Sequence, residues 1–355
     1  MKTPESIGLP VSDPEPLRHG SANAATGGVW RVRGTAGGAV LKVARGPHPE
    51  RAHMVWPTSD EPAHWNYWRR ELLAYESGLA AAAYRDAGIV VPQVLSMDER
   101  ADGGVDLWLE DVEGVAGFEW SVPRLARFAY ELGVGQAKWV GRVPDQAWLS
   151  RRWLAQYLRQ EPSRSAGLPE EVWESPETAA VVAGWSASVR SGVRRLWGER
   201  DRVLAAAESG DRTLCHLDVW PSNLLDADCV SVLLDWSFVG EGAVGEDVAN
   251  LIVDSCADGL MDMALLPEIA QSCVESYVNG LRDGGWAGRE DQVRLAVAAC
   301  GAAKYSWFGP TFLGRALRGD TTRSSYGQDD SALDAVRRTG DLVALIVQWA
   351  DAVLG

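Results

Sequence analysis

Apolar positions follow two different periods along this chain, and the change between them falls near residue 112. Before it they come in short runs that alternate as β-strands do; after it they recur every three to four residues, as on helices. Val29 to Arg33 alternates apolar and basic residues, Ala39 to Ala44 is the next run, and Gly34-Thr35-Ala36-Gly37-Gly38 between them has the composition of a hairpin turn. I-V-V-P-Q-V-L-S-M from Ile89 and V-D-L-W-L-E-D-V-E-G from Val105 predict a second antiparallel pair, joined by a turn from Asp98 to Gly104. Between the two pairs, Pro62 and a stripe of Trp65, Trp68, Leu72, Tyr75 and Leu79 predict one helix from Asp60 to about Arg85. Residues 46–60 read as an exposed irregular insertion. Residues 124–140, 146–207 and 249–355 carry helical periodicity. The pattern predicts an α+β protein in two lobes: residues 1–112, small and β-rich with one main helix, and residues 113–355, larger and mainly helical.

One stretch breaks the helical half. T-L-C-H-L-D-V-W-P-S-N-L-L-D-A-D-C-V-S-V-L-L-D, from Thr213 to Asp235, reads as a strand end, a loop stiffened by Pro221, and a hairpin. Leu224 and Leu225 form one arm, Asp226-Ala227-Asp228 the turn, and Val230 to Leu234 the other arm. A hairpin brings its ends together, so Asn223 and Asp235 are expected side by side with Asp218 on the same rim. One general base, one amide oxygen and one carboxylate at a single spot are equipment for Mg²⁺-assisted phosphoryl transfer.

Composition narrows the partners. The 355 residues carry a formal charge of −15, which argues against non-specific binding to nucleic acid or anionic membrane and is compatible with a cationic substrate. No run approaches the roughly 18 apolar residues of a membrane span, and M-K-T-P-E-S-I-G-L-P lacks the apolar core of a signal peptide. Five Cys without a CxxC pair suggest reduced thiols, so a cytoplasmic location is expected. Of the 17 Trp, Trp220 lies inside the loop after Asp218.

Two further candidates lie in the first lobe. Lys42 stands between apolar neighbours on both faces of its strand, a poor place for a merely solvated residue. Glu71 flanks the Trp68–Tyr75 stripe, within reach of that strand, with Glu76 as the alternative partner. Upstream, Gly20-Ser21 and Gly27-Gly28 bracket small residues that let backbone N–H groups approach phosphates.

H-x-D-x-x-x-x-N, then an apolar strand and Asp, is similar to the catalytic and metal loops of protein-kinase-like phosphotransferases, and the L-D-W ending resembles the aminoglycoside and choline kinase branch. V-L-K-V, W-R-R-E-L-L-A-Y-E and G-E-D-V-A-N-L-I resemble further parts of that family in the same order. The resemblance implies a bilobal protein-kinase-like fold and a kinase acting with ATP or GTP and Mg²⁺. Asp218, which takes the acceptor's proton, and His216 are the expected catalytic residues; Asn223 and Asp235 hold the metal. Lys42, paired with Glu71, meets the nucleotide phosphates under a loop containing Ser21, Gly27 and Gly28. Glu110 and Val112 read the adenine edge through their backbone, and Asp247 braces the catalytic loop. C-terminal helices build the acceptor pocket, with Asp254, Asp258, Glu275 and Trp307 as candidates.

Three departures refine this. Val219-Trp220 stands where protein kinases carry a Lys two residues after the Asp; the A-P-E signature of peptide-docking segments is missing; and Leu217 replaces the Arg of protein kinases and the Gly of many antibiotic kinases. The first two favour a small-molecule hydroxyl acceptor. An aminoglycoside or other antibiotic is the expected acceptor. The alternatives are a metabolic amino sugar, choline-like amine, homoserine or nucleoside, and then a catalytically silent nucleotide-binding protein. Either a monomer or a homodimer is expected.

Overall fold

The computed structural model describes residues 13–20, 22–34, 37–160, 163–322 and 330–355. In it β1 (Glu15–Pro16), β2 (Thr26–Gly34), β3 (Gly37–Ala44), β5 (Val94–Glu99) and β6 (Val105–Glu110) form one antiparallel sheet in the order β1-β2-β3-β6-β5. Side chains alternate across it as the pleat requires. Val32, Ala39 and Trp108 bury together on one face, while Ala44, Val105, Leu107 and Leu109 join the main core on the other. Lys42 pairs across the ladder with Val29 and Leu107, which aims it at the core face. Gly34 and Gly37 face each other at the β2–β3 turn, whose Thr35 and Ala36 lie outside the described residues.

Two predicted elements are split. Ile89–Val90 (β4) and β5 do not form one strand, because Pro92 between them has no N–H to continue a ladder. β4 instead runs parallel to β11 (Val230–Leu233). The single helix expected from Asp60 to Arg85 is two short ones, α1 (Arg70–Glu76) and α2 (Leu79–Ala83). Gly78, at φ 73°, breaks the chain between them. Before α1 the cause is a side chain. The fully buried Arg70 guanidinium donates to the carbonyls of Pro62, His64, Trp65, Trp148 and Ser237 at 2.6–3.2 Å. Three of those carbonyls are thereby committed to Arg70 instead of a helical ladder. The insertion before them is docked, not loose: Asn66 Nδ2 donates to Asn23 Oδ1, Trp56 O and Pro57 O.

The rest of the chain is mainly helical. In order come β7 (Val115–Ala116), α3 (Val122–Ala137), β8 (Ser150–Arg151), α4 (Trp153–Tyr157), α5 (Glu170–Trp173), α6 (Pro176–Val181) and α7 (Ala187–Glu208). The small β insert follows as β9 (Arg212–Cys215), β10 (Leu224–Ala227), β11 and β12 (Gly240–Ala243). Helices α8 (Glu246–Ala257), α9 (Leu266–Asp283), α10 (Glu290–Lys304), α11 (Phe308–Arg318), α12 (Ala332–Arg338) and α13 (Gly340–Leu354) complete it. The insert's strands form two small sheets, β4-β11-β10-β7 and β8-β12-β9. The hairpin turn lies at Asp228-Cys229, later than the Asp226–Asp228 expected. Both residues are left-handed (φ 51° and 68°), as a two-residue type I′ turn requires.

Helices α3 and α9 cross in backbone contact. A Cβ on Gly280 would lie 2.1 Å from Tyr130 O, and one on Gly133 would lie 2.4 Å from Tyr277 O. Gly280→Ala is expected to lower unfolding free energy by about 2 kcal/mol in a urea titration; an unchanged midpoint would show that the helices have room to part. Arg70→Met strips five buried carbonyls of their donor, and a loss of about 3 kcal/mol is expected in the same measurement. A loss below about 0.5 kcal/mol, the size of an ordinary surface substitution, would mean that the guanidinium does not organise residues 62–65.

Candidate active site

Strand β9 delivers the chain into a loop held from below by one carboxylate. Asp247, on the first turn of α8, accepts His216 N–H through Oδ2 at 2.8 Å and Leu217 N–H through Oδ1 at 2.7 Å. Gln136 of α3 donates to the same Oδ2 at 2.7 Å, and Tyr277 of α9 fixes that Gln by donating to its Oε1 at 2.5 Å. Burial pushes the Asp247 carboxyl up to about 7, against the two N–H bonds that favour its ionised form. Leu217 is left-handed at φ 68°, a conformation disfavoured for a non-glycine residue. Its carbonyl meets Asn250 Nδ2 at 3.5 Å, so α8 grips this residue at both ends. The His216 ring is buried edge-on to Trp236 at 5.0 Å, and burial depresses its pKa to about 4.

Asp218 emerges from this turn half-buried. Asn223 Nδ2 donates to both its carbonyl (2.9 Å) and its Oδ2 (3.0 Å). Burial first, and the charge of Asp235 second, push the Asp218 carboxyl up to about 7, while Lys304 opposes the shift. The hairpin closes with Leu234 N–H on Asn223 O at 2.9 Å, which puts Asp235 one residue beyond the position facing Asn223. Asp235 is itself left-handed at φ 60°.

A second constellation joins the sheet to this loop. Lys42 Nζ lies 2.7 Å from Glu71 Oε2 and 2.8 Å from Asp235 Oδ1. Burial alone would lower the Lys42 pKa, but the two carboxylates outweigh it and keep the ammonium charged. At Glu71 burial pushes the carboxyl up against Lys42; at Asp235 Lys42 overcomes burial and holds the carboxyl below its usual range. Ser237 Oγ, not singled out from the sequence, donates to Asp235 Oδ1 (2.5 Å) and lies 3.3 Å from Glu71 Oε2. Its backbone carbonyl is one of the five held by Arg70. Glu76, the alternative partner, is exposed at the end of α1.

Other expected residues fall differently. Gly27 and Gly28 open β2, beside a bulge between Thr26 and Gly28. Close neighbours account for their size: a Cβ there would meet the side chains of Arg45 and Trp30. Ser21 lies outside the described residues. Glu110 ends β6, its N–H bonded to Gln93 O at 2.9 Å, and Val112 is half-buried in the connector beyond it. Of the acceptor-side candidates, Asp254 accepts from Tyr305 Oη at 2.6 Å and Trp307 lies by Tyr157. Asp258 faces Arg338, and Glu275 is exposed and bonded to Gln271.

The donor set suits a hard divalent cation. The Asn223 amide nitrogen is committed to Asp218, so the group left to it for a cation is its carbonyl oxygen; Asp235 supplies carboxylate oxygen. Oxygen donors of this kind, few in number, are how Mg²⁺ is held when phosphates and water complete its shell. Among the described residues no group of three or more His, Cys, Asp and Glu side chains gathers as a separate metal site, and no helix is long and apolar enough to cross a membrane.

A profile of the phosphotransferase enzyme family (APH) matches residues 16–287. No curated protein sequence matches the chain. Among solved structures, a microcompartment-associated aminopropanol kinase is similar, with TM-score 0.55 and 16% identity over 99% of this chain and 98% of that one. Spectinomycin phosphotransferase APH(9)-Ia, in complex with ADP and spectinomycin, aligns with TM-score 0.52 and 11% identity over 99% and 98%. Amicoumacin kinase hAmiN, in complex with AMP-PNP and Ca²⁺, aligns with TM-score 0.52 and 13% identity over 97% and 92%. These likenesses are of fold, α+β with a β-rich N-terminal part and a helical C-terminal part. With the profile spanning most of its length, the chain belongs to the APH family of phosphotransferases, enzymes that phosphorylate a hydroxyl group of a small molecule.

Proposed function

We propose that this enzyme moves the γ-phosphate of ATP to a hydroxyl of an amine-bearing antibiotic, an aminoglycoside foremost. The observation that carries the reading is the convergence of Lys42, Glu71, Asp235, Asn223 and Asp218 from a sheet, a helix and a loop-hairpin unit. In this reading residues 1–112 hold the nucleotide, with the Glu110 carbonyl and Val112 N–H on the adenine edge and Lys42 on the phosphates. Residues 113–355 supply the loop and the acceptor pocket. Mg²⁺, when bound by Asn223 and Asp235, neutralises phosphate charge.

The transfer then needs little covalent help from the protein. The acceptor oxygen bonds to the γ-phosphorus as the bond from that phosphorus to the β,γ-bridging oxygen breaks, its electron pair leaving with ADP. The hydroxyl proton passes to the Asp218 carboxylate, which Asn223 orients. Glu71 fixes the Lys42 ammonium, and Asp247 fixes the backbone on either side of the His216–Leu217 bond. His216, expected among the catalytic residues, is neutral and enclosed and is assigned here to packing that loop instead. Positioning and electrostatics supply the rate.

An amine on the acceptor is supported by Asp254, which lies seven residues after Asp247 on α8 and is electrostatically coupled to Lys304. Burial raises its carboxyl to about 6, while Lys304 and the Tyr305 hydroxyl favour the ionised form. The deciding experiment is a coupled ADP-release screen with aminoglycosides, spectinomycin, amicoumacin and simple amino alcohols such as aminopropanol, run with ATP and with GTP. Turnover of an amino alcohol alone would replace the antibiotic with a metabolic acceptor.

Asp218→Ala is expected to lower kcat by about 10³-fold, within the range for loss of a general base, while ATP with Mg²⁺ still raises the melting temperature as in the parent. Retained turnover would sink the assignment of the base. In the parent, chelation with EDTA is expected to abolish most of the ATP-dependent thermal shift. A complete absence of any nucleotide shift with Mg²⁺ present would favour a silent protein.

A further inference from the structure

A buried cation reaches the backbone beside Asp218 from outside the loop. Lys304, the last residue of α10, is only 7% exposed. Its ammonium donates to Asn250 Oδ1 at 2.5 Å and lies over three rings, Trp153 at 5.0 Å, Tyr305 at 5.4 Å and Tyr157 at 5.9 Å. Among the described residues no carboxylate lies within ion-pair distance of it. A buried ammonium is costly unless anions or aromatic faces compensate it. The rings and one amide do part of that, and the charges of Asp218 and Asp254 do the rest from a greater distance.

Asn250 makes the link geometric. Its Oδ1 takes the ammonium while its Nδ2 reaches Leu217 O at 3.5 Å, the residue immediately before Asp218. The same helix presents Asp247 to Leu217 N–H. The Lys304 side chain therefore bears on the backbone that aims Asp218, and its charge bears on the carboxylate itself. The loop has no cation of its own after Asp218, since Val219-Trp220 follows it.

We propose that Lys304 is a positioning residue for phosphoryl transfer: from a C-terminal helix it supplies, through Asn250 and across the aromatic rings, the positive charge that the loop after Asp218 lacks. The inference rests on the reading of Asp218 as the base. Its role is to keep the carboxylate directed at the acceptor hydroxyl and to temper repulsion between that carboxylate and the incoming phosphate. Because Lys42 holds the nucleotide independently, the effect belongs to kcat and not to ATP binding.

The test compares Lys304→Met and Lys304→Arg in the full chain, with ATP, Mg²⁺ and whichever acceptor the screen identifies. K304M is expected to lower kcat about 10²-fold, the size of one lost electrostatic contact in an active site, with KM for ATP and the ATP-dependent thermal shift within about threefold and 2 °C of the parent. K304R is expected to recover at least a tenth of parental kcat. Where K304M does not fold, Lys304→Gln, which keeps a donor toward Asn250 without the charge, replaces it. Parental kcat in K304M or K304Q, or equal losses in the uncharged variants and K304R, would overturn the proposal. A parent that turns over while D218A is equally active would instead overturn the assignment of the base, so the two failures are distinct.

Discussion

The Asp247 carboxylate is the constraint on which the site depends. Two consecutive N–H groups, His216 and Leu217, each receive an acceptor oxygen of their own from one carboxylate, which an amide with a single oxygen cannot provide. Burial works against that charge, and the environment answers with a third donor from Gln136, itself fixed by Tyr277. The brace thus gathers α3, α8, α9 and the loop into one rigid unit. Asp218 inherits its position from that unit, and Asn223 is the side chain bonded directly to its carboxylate.

The Lys42–Glu71–Asp235 triad has a different character. Buried ion pairs are weak evidence for stability, because desolvation offsets much of their attraction, while removal of one member leaves the others uncompensated. Its significance is geometric. Lys42 is carried by the sheet, Glu71 by α1 and Asp235 by the end of the hairpin, so one ammonium registers three elements against each other. Arg70 reinforces this from the adjacent position on α1, by holding the carbonyl of Ser237 two residues beyond Asp235. Neighbouring residues of one short helix thereby fix the same loop by charge and by backbone.

What was legible in the sequence is what depends on short-range pattern. The order His216, Asp218, Asn223, Asp235, the strand Lys42 and the flanking Glu71 could be read because each is set by local spacing within one strand, helix or hairpin. The helix expected from Asp60 could not be read correctly. Apolar residues three and four apart are equally served by turns wrapped around a buried guanidinium, and nothing in the text marks Arg70 as buried. Small size at Gly27 and Gly28 also has a cause that spacing does not show, the close approach of the Arg45 and Trp30 side chains. Asn250 and Lys304 were missed although a signal existed. Asp247, Asn250 and Asp254 recur at helical spacing on α8 among apolar Val248, Leu251 and Ile252, a polar face that must meet something polar.

Leu217 has a left-handed backbone, a conformation that Gly adopts without penalty. A leucine there costs on the order of 1–2 kcal/mol, yet burying its side chain, here 2% exposed, returns about 2 kcal/mol. The two terms nearly cancel, so the substitution is tolerable only where the conformation is imposed from outside. Asp247 on the N–H side and Asn250 on the carbonyl side do that. A loop whose shape is fixed by bracing can dispense with glycine and gain core in its place, and it then depends more heavily on the helix that braces it.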